Sequence, residues 1–341
     1  MSYPITIFHD TNSNIELTVG LPIYNNKEIS WLSIESLCKQ TEIDFDWELI
    51  VFEETHDGSS CPMLLLEYKE RLIKAGCKKI VHLTDNNKVP LTNKWIDIAK
   101  FSSENSKCYL FHGSDDYSPK NRLKFSYDRI IKENYDWYDQ RKVYFYSFIS
   151  GKVIIYDKNG CPNVNMATKT EFVKNIPPTD LGRGIDSYVF KCIEKNIGVV
   201  KRFTEQELFD DAIDTHGLNN ISQNRETLFH TQPDIFQVTD LRVQDLPLSK
   251  EIINKLISLT KEQNFDFIDT TPTQVETTKD DKKGILSLLG NGGPKKTNPK
   301  QTQLSKNSQQ ITQTNSSKTQ KFKDQTLLKR TGLDRGGNVS R

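Results

Sequence analysis

Two pairs of adjacent carboxylates stand where apolar runs stop. Glu53-Glu54 follows Leu49 to Phe52, and Asp115-Asp116 follows Cys108 to Phe111 across His112-Gly113-Ser114. An acidic pair in a loop ordinarily does turn or cap chemistry, its oxygens accepting nearby backbone N–H groups. Two such pairs at neighbouring strand ends point further. Carboxylates gathered without a cation raise one another's pKa values, and a bound cation relieves the repulsion. Oxygen donors suit Mg2+, Mn2+ or Ca2+, and no Cys-His set suggests zinc. Magnesium takes one or two protein carboxylates and fills its shell with water and phosphate oxygens, so a phosphorylated or nucleotide ligand follows.

Those pairs need elements to carry them. "ELTVGLPI" (16–23) reads as a strand, and "NNKEISWLSIESLCKQ" as a helix with the stripe Trp31, Ile34, Leu37 and Cys38 behind the N-cap candidates Asn25 and Asn26. "WELIVFEE" (47–54) is a second strand; a helix then opens near Pro62 and stops at Gly76. "KKIVHLT" (78–84) is a third strand, "LTNKWIDIAKFSS" (91–103) a third helix and "KCYLFHG" (107–113) a fourth strand. Such alternation predicts βαβ units around a parallel sheet covered on both faces. Sheets of that kind bind ligands beyond the carboxyl ends of their strands. Residues 22–26, 53–60, 85–88 and 113–117 fall there, which puts Asp115 and Asp116 near Glu53 and Glu54. "VYFYSFISGKVIIYD" (143–157) is too short for a membrane span and contains Lys152, so it reads as two strands turning near Ser150-Gly151. Residues 226–269 read as helical, with Ile252, Ile253, Leu256 and Leu259 at core-packing spacing.

The near-neutral total charge hides an asymmetry. Residues 282–341 carry 13 Lys and Arg against Asp324 and Asp334, a net of +11, and residues 1–281 carry a net of −10. From about Thr270 onward the chain is rich in Gln, Asn, Thr, Ser and Lys with Phe322 as its single aromatic residue, a composition that predicts disorder. Two apolar islands there, "GILSLLG" (284–290) and "TLLKRTGL" (326–333), read either as docking peptides or as part of a solvated tail. Neither a leader pattern nor a run of 18 apolar residues occurs, and the six cysteines form no C-x-x-C pair. Together these predict a cytoplasmic protein without a transmembrane segment. The expected domains are 1–230, a helical extension over 231–269 and a basic tail over 270–341.

The ordered motifs resemble the family-2 nucleotide-sugar glycosyltransferases of GT-A fold. "LTVGLPIYNN" is similar to their opening strand with its P-x-Y-N turn, "ELIVFEE" to the second strand with its acidic end, and "GSDDYSP" to the metal-binding D-x-D loop. "DNNKVPLTNKWIDIA" resembles the Asn-led segment after the third strand, and "MATKTEFVKNI" (166–176) and "GRGIDSYVFKCIEK" (182–195) extend the likeness more weakly across about residues 15–225. The resemblance implies a GT-A-like, Rossmann-type α/β fold: a mostly parallel sheet flanked by helices, then a C-terminal helical segment and a disordered tail.

It also implies site roles. Glu53 or Glu54 would accept a hydrogen bond from a uracil N3–H or a ribose hydroxyl, with Pro22 and Tyr24 shaping the base pocket. Asp115, with Asp116 beside it, would hold Mn2+ or Mg2+ on the diphosphate of a UDP-sugar. Lys94 would counter phosphate charge, unless it is an exposed helix lysine. Asp186 would be the base that deprotonates an acceptor hydroxyl in an inverting reaction, unless it is a helix N-cap. His216 would be a third metal ligand, unless it is structural. The chain departs from the family pattern twice: Gly113 replaces the first Asp of D-x-D, and Ile185 replaces the Glu before the base. The function expected is metal-dependent, inverting sugar transfer from a UDP-type donor to an unknown hydroxyl acceptor. The alternative is an interaction protein whose basic tail binds nucleic acid or another polyanion. Nucleotidyl transfer fits less well, because no glycine-rich phosphate loop follows the first strand.

Overall fold

The runs of Val, Ile, Leu and Phe that form the central strands are buried along their whole length, as strands covered on both faces must be. The computed structural model describes residues 3–24, 28–56, 58, 61–157, 165–181, 184–216 and 236–268, all within the compact unit Met1–Thr273. In chain order the strands are β1 (Ile5–Asp10), β2 (Leu17–Ile23), β3 (Trp47–Glu54), β4 (Cys77–Asp85), β5 (Cys108–Phe111), β6 (Trp137–Gln140), β7 (Lys142–Ser147), β8 (Val153–Asp157), β9 (Ala167–Lys169), β10 (Arg202–Glu205), β11 (Ile213–His216) and β12 (Phe236–Val238). The helices are α1 (Ser30–Cys38), α2 (Cys61–Lys74), α3 (Leu91–Phe101), α4 (Arg122–Tyr127), α5 (Thr170–Lys174), α6 (Ile185–Ile197) and α7 (Lys250–Ile268).

Eight strands form one sheet in the order β1-β4-β3-β2-β5-β9-β6-β10. Its centre, β4-β3-β2-β5, is parallel, with Gly20 opposite Phe111, Ile23 opposite Glu53 and Glu54 opposite Asp85. The α/β class and the parallel core expected from the sequence are therefore present. Two strands depart from that expectation: β1 adds an antiparallel edge on β4, and the short β9 runs antiparallel between β5 and β6. Alternation along each strand divides the core in two. Leu49 and Val51 face α1, α2 and α4 through Ile34, Leu65 and Leu123. Ile50 and Phe52 face α3, α5 and α6 through Trp95, Val173 and Val189.

The hairpin expected at 143–157 is β7 and β8, turning through Gly151 at φ +69. It belongs to a second sheet, β11-β7-β8-β12, on which α7 buries Ile252 and Leu256. That is the core-packing role expected of the stripe in 250–263. Helix α1 starts later than expected: its N-cap position is Ile29, without a side-chain cap, and Asn25 and Asn26 lie outside the described residues. The basic tail and its two apolar islands also lie outside them. Among the described residues no helix is long and apolar enough to cross a membrane.

Candidate functional site

Strand β3 ends on two acids, and strand geometry sends them to opposite faces. Glu53 follows Leu49 and Val51 toward α2. There its Oε2 lies 3.0 Å from His82 Nε2, and its Oε1 accepts the Cys61 N–H at 3.3 Å. Glu53, Cys61 and His82 are all buried and bring one ligand-type atom each to within 4.8 Å of one another. The sequence, which holds these residues 8 to 29 positions apart, gave no sign of the grouping. Burial and the Glu53 charge push the Cys61 thiol up, so it stays protonated.

Glu54 follows Ile50 and Phe52 toward α3. Its Oε1 lies 2.5 Å from Lys94 Nζ and accepts the Val89 N–H at 3.0 Å. Its Oε2 is buried without a hydrogen bond among the described residues, 3.6 Å from His56 Nδ1. Lys94 is 3% exposed, so it is not the exposed helix lysine of the alternative reading; burial lowers its pKa against the opposing pull of Glu54. The Tyr24 ring stacks on His56 at 5.5 Å and lies 5.2 Å from Lys94 Nζ and 6.0 Å from Lys88 Nζ. Pro22 is buried in β2 opposite Phe52, one position before the register of Glu53. Tyr24, Glu54 and Lys94 thus form one group, with Pro22 on the neighbouring strand, and Glu53 turns away from it.

The second group lies on the far side of β2, beyond β5. Two strand spacings separate β3 from β5, about 10 Å. The Asp116 carboxylate folds back onto Gly113, where an added Cβ would lie 2.9 Å from Asp116 Cγ and closer still to Oδ2. This is a physical reason for glycine at 113: the space a side chain would need is taken by the acid three residues on. Asp116 also accepts the Thr215 backbone N–H. The Asp115 carbonyl accepts the Thr215 hydroxyl at 2.7 Å, and Tyr117 exchanges backbone hydrogen bonds with Ile213. Strand β11 is thereby laid along the acidic loop, and it brings a carboxylate that sequence reasoning missed, Asp214. Burial first, then the charges of Asp214 and Asp115, push the Asp116 carboxyl well above the usual range, while Arg122 and Thr215 pull it down. The only sequence signal for Asp214 was its place two residues before His216.

His216 closes β11, paired in register with Ser147; its side chain is outside the described residues. Asp186 occupies the first turn of α6, whose N-cap position is Gly184 at φ +66, so Asp186 is not the N-cap. Helix α6 leads into β10, which runs parallel to β6, and β6 is antiparallel to β9 as β5 is. The start of α6 therefore lies at the carboxyl end of β5. The Thr179 N–H donates to Asn93 Oδ1 at 3.0 Å, tying the segment before α6 to the first turn of α3, beside Lys94.

No family model matches the chain, and no curated protein sequence matches it. Solved structures do. S. aureus TarS 1-349 in complex with UDP-GlcNAc aligns at 14% identity over 81% of this chain and 80% of that one, with a TM-score of 0.45. A mannosyltransferase, PcManGT from Pyrobaculum calidifontis in complex with GDP-Man and Mn2+, aligns at 9% identity over 84% and 83%, also at 0.45. Against a longer S. aureus TarS chain the identity is 15% and the TM-score 0.45, and this chain spans 48% of that one. Likeness at this level does not carry function.

Proposed function

We propose that the chain transfers a sugar from a nucleoside diphosphate, UDP in type, to a hydroxyl acceptor, with inversion and with a divalent cation. The observation that carries the reading is the pairing of Glu54-Lys94-Tyr24 with Asp115-Asp116-Asp214 at the ligand end of one parallel sheet, on either side of β2. The motif resemblance at 15–225 supports it.

The donor set fits a hard cation. Asp115 and Asp116 offer carboxylate oxygens beside Asp214; burial first, and then the charges of Asp214 and Asp115, push the Asp116 carboxyl up, and a cation offsets the part that is repulsion. Asp115 and Asp116 would hold Mn2+ or Mg2+, with His216 as a further ligand. The cation, when bound, neutralises charge growing on the departing diphosphate. The remaining work belongs to the chain. Glu54 Oε2, which lacks a hydrogen bond among the described residues, accepts a base N–H, and Tyr24 offers its ring face. Lys94 places positive charge next to that pocket. Asp186 takes the proton of the acceptor hydroxyl as its oxygen bonds the anomeric carbon and the bond from that carbon to the diphosphate oxygen breaks.

Purified protein with Mn2+ and a panel of nucleotide sugars tests the proposal. Donor turnover, abolished in Asp186→Asn with UDP binding kept, is the expected result. Absence of turnover with every donor, together with absence of UDP binding, sinks it. Deleting residues 270–341 separates this function from binding through the basic tail: transfer survives the deletion, and polyanion affinity does not.

A further inference from the structure

Arg122, at the start of α4, is 2% exposed. Burying a guanidinium costs several kcal/mol, so its partners indicate what it is for. Nη1 donates to His112 Nδ1 and to Ser118 Oγ, each at 2.6 Å, and Nη2 donates to the Phe111 carbonyl. Phe111 and His112 lead into the acidic loop and Ser118 leads out of it. Because His112 Nδ1 accepts, its Nε2 carries the proton and donates to the Ser33 carbonyl at 3.2 Å. Ser33 Oγ then donates to the Gly113 carbonyl at 2.7 Å. The stretch carrying Asp115 and Asp116 thus departs from and returns to a single planar cation, with a second tether through α1. Asp116 and Asp214 are also the carboxylates on which the Arg122 charge acts.

We infer that Arg122 is a positioning residue: its guanidinium clamps both ends of the 113–117 loop and offsets the repulsion among Asp115, Asp116 and Asp214, so that the loop holds its cation-binding form before any ligand arrives. The inference rests on the sugar-transfer reading for the identity of the ligand, and on the hydrogen bonds alone for the clamp. Lysine cannot replace it, because an ammonium is a point charge and cannot reach three acceptors spread around a plane.

The experiment uses the full chain and Arg122→Lys, with Mn2+ binding read from the electron paramagnetic resonance of the free ion, UDP binding without metal, and hydrogen exchange of amides 112–117 without either. Arg122→Lys is expected to weaken Mn2+ binding about 10- to 100-fold, the usual effect of losing a residue that orients metal ligands, while metal-free UDP binding holds. Amides 112–117 should exchange faster while those of 85–89 do not change. Mn2+ affinity within about twofold of the parent overturns the inference, and so does an equal loss of Mn2+ and UDP binding, which marks general loosening. If Arg122→Lys fails to fold, Ser118→Ala, which removes one arm of the clamp, takes its place on the same readouts: a smaller loss in the same direction supports the inference and no change overturns it. If the parent chain binds no Mn2+, the cation reading of the site falls, and the clamp is then decided by exchange: unaltered exchange at 112–117 in the variant overturns it, faster exchange sustains it.

Discussion

Replacing Gly113 by alanine tests the packing of the acidic loop directly. The new Cβ would sit 2.9 Å from Asp116 Cγ, against an ordinary carbon–carbon separation of about 3.5–4.0 Å, so the carboxylate must retreat by about 1 Å. Asp116 has little freedom to do so, because its carboxylate is packed onto Gly113 and bonded to the Thr215 N–H. Overpacking of this kind costs about 1–3 kcal/mol, and weakening the Thr215 bond adds about 1 kcal/mol. Gly113 is not in the left-handed region, so alanine recovers about 0.5–1 kcal/mol of chain entropy. The net loss is about 2 kcal/mol, or roughly 4–8 °C in Tm for a domain of this size. Urea unfolding of Gly113→Ala, Asp116→Ala and the double variant checks the cause. If the clash is with Asp116, the alanine at 113 costs almost nothing once Asp116 is gone. Additivity within about 0.5 kcal/mol would refute the reasoning. The same geometry predicts that Gly113→Asp, which restores the first acid of the D-x-D pattern, weakens Mn2+ binding by displacing Asp116.

Three further perturbations have defined outcomes. A Cβ on Gly20 would lie 2.5 Å from Cζ of the buried Tyr109, whose hydroxyl is held by the Trp95 carbonyl, so Gly20→Ala should cost about 3 kcal/mol; an unchanged urea midpoint contradicts this. Burial, and then the neighbouring Arg122, push His112 down to about 3 from an ordinary value of about 6.5. Its folded pKa is the lower one, so the stability held by the neutral ring is complete above about pH 6.5 and lost as pH falls toward 3, at up to about 1.4 kcal/mol per unit. His112→Asn should flatten that slope in urea midpoints measured across the window, and a parallel profile would refute the assignment. Lys94→Met leaves Glu54 as an uncompensated buried charge at a cost of about 3–5 kcal/mol, most of which Glu54→Gln in the same chain should restore. A double variant as unstable as the single one would show that the pair is not what holds this pocket.

How much of this was legible depended on the reach of each signal. The bounds of β3 were read at 47–54 because a wholly apolar run ended in two acids, and α2 because Pro62 and Gly76 mark its ends; Gly76 has φ +92. Strand β1 was missed because its outer face carries no burial pattern, with Ile5 and Ile7 50% and 58% exposed, and its partner among the described residues is β4, some seventy residues on. Strands β9 and β11 have three and four residues, too few for a period to show, and both are strands only because distant chain pairs with them. Lys94 could have been placed better. It stands three residues after Leu91 and four before Ile98, on the stripe that α3 buries, and a lysine there needs a carboxylate partner.

The acidic pairs were the part of the site a sequence displays, and they also show what it conceals. Adjacent residues on an extended strand point to opposite faces, so Glu53 and Glu54 could never share one ligand. Which acid met His82 and Cys61 and which met Lys94 depended on the helices that cover each face. The loop pair divides in a related way. Asp116 turns onto Gly113 and Thr215, and the Asp115 carbonyl anchors β11. In each pair one carboxylate is tied into the frame, Glu53 through His82 and Asp116 through Thr215, which is why Arg122 and His82, neither of them acidic nor in a motif, matter to how the acids are held. A motif marks where charge is concentrated; the buried partners behind it decide which of those charges a ligand can meet.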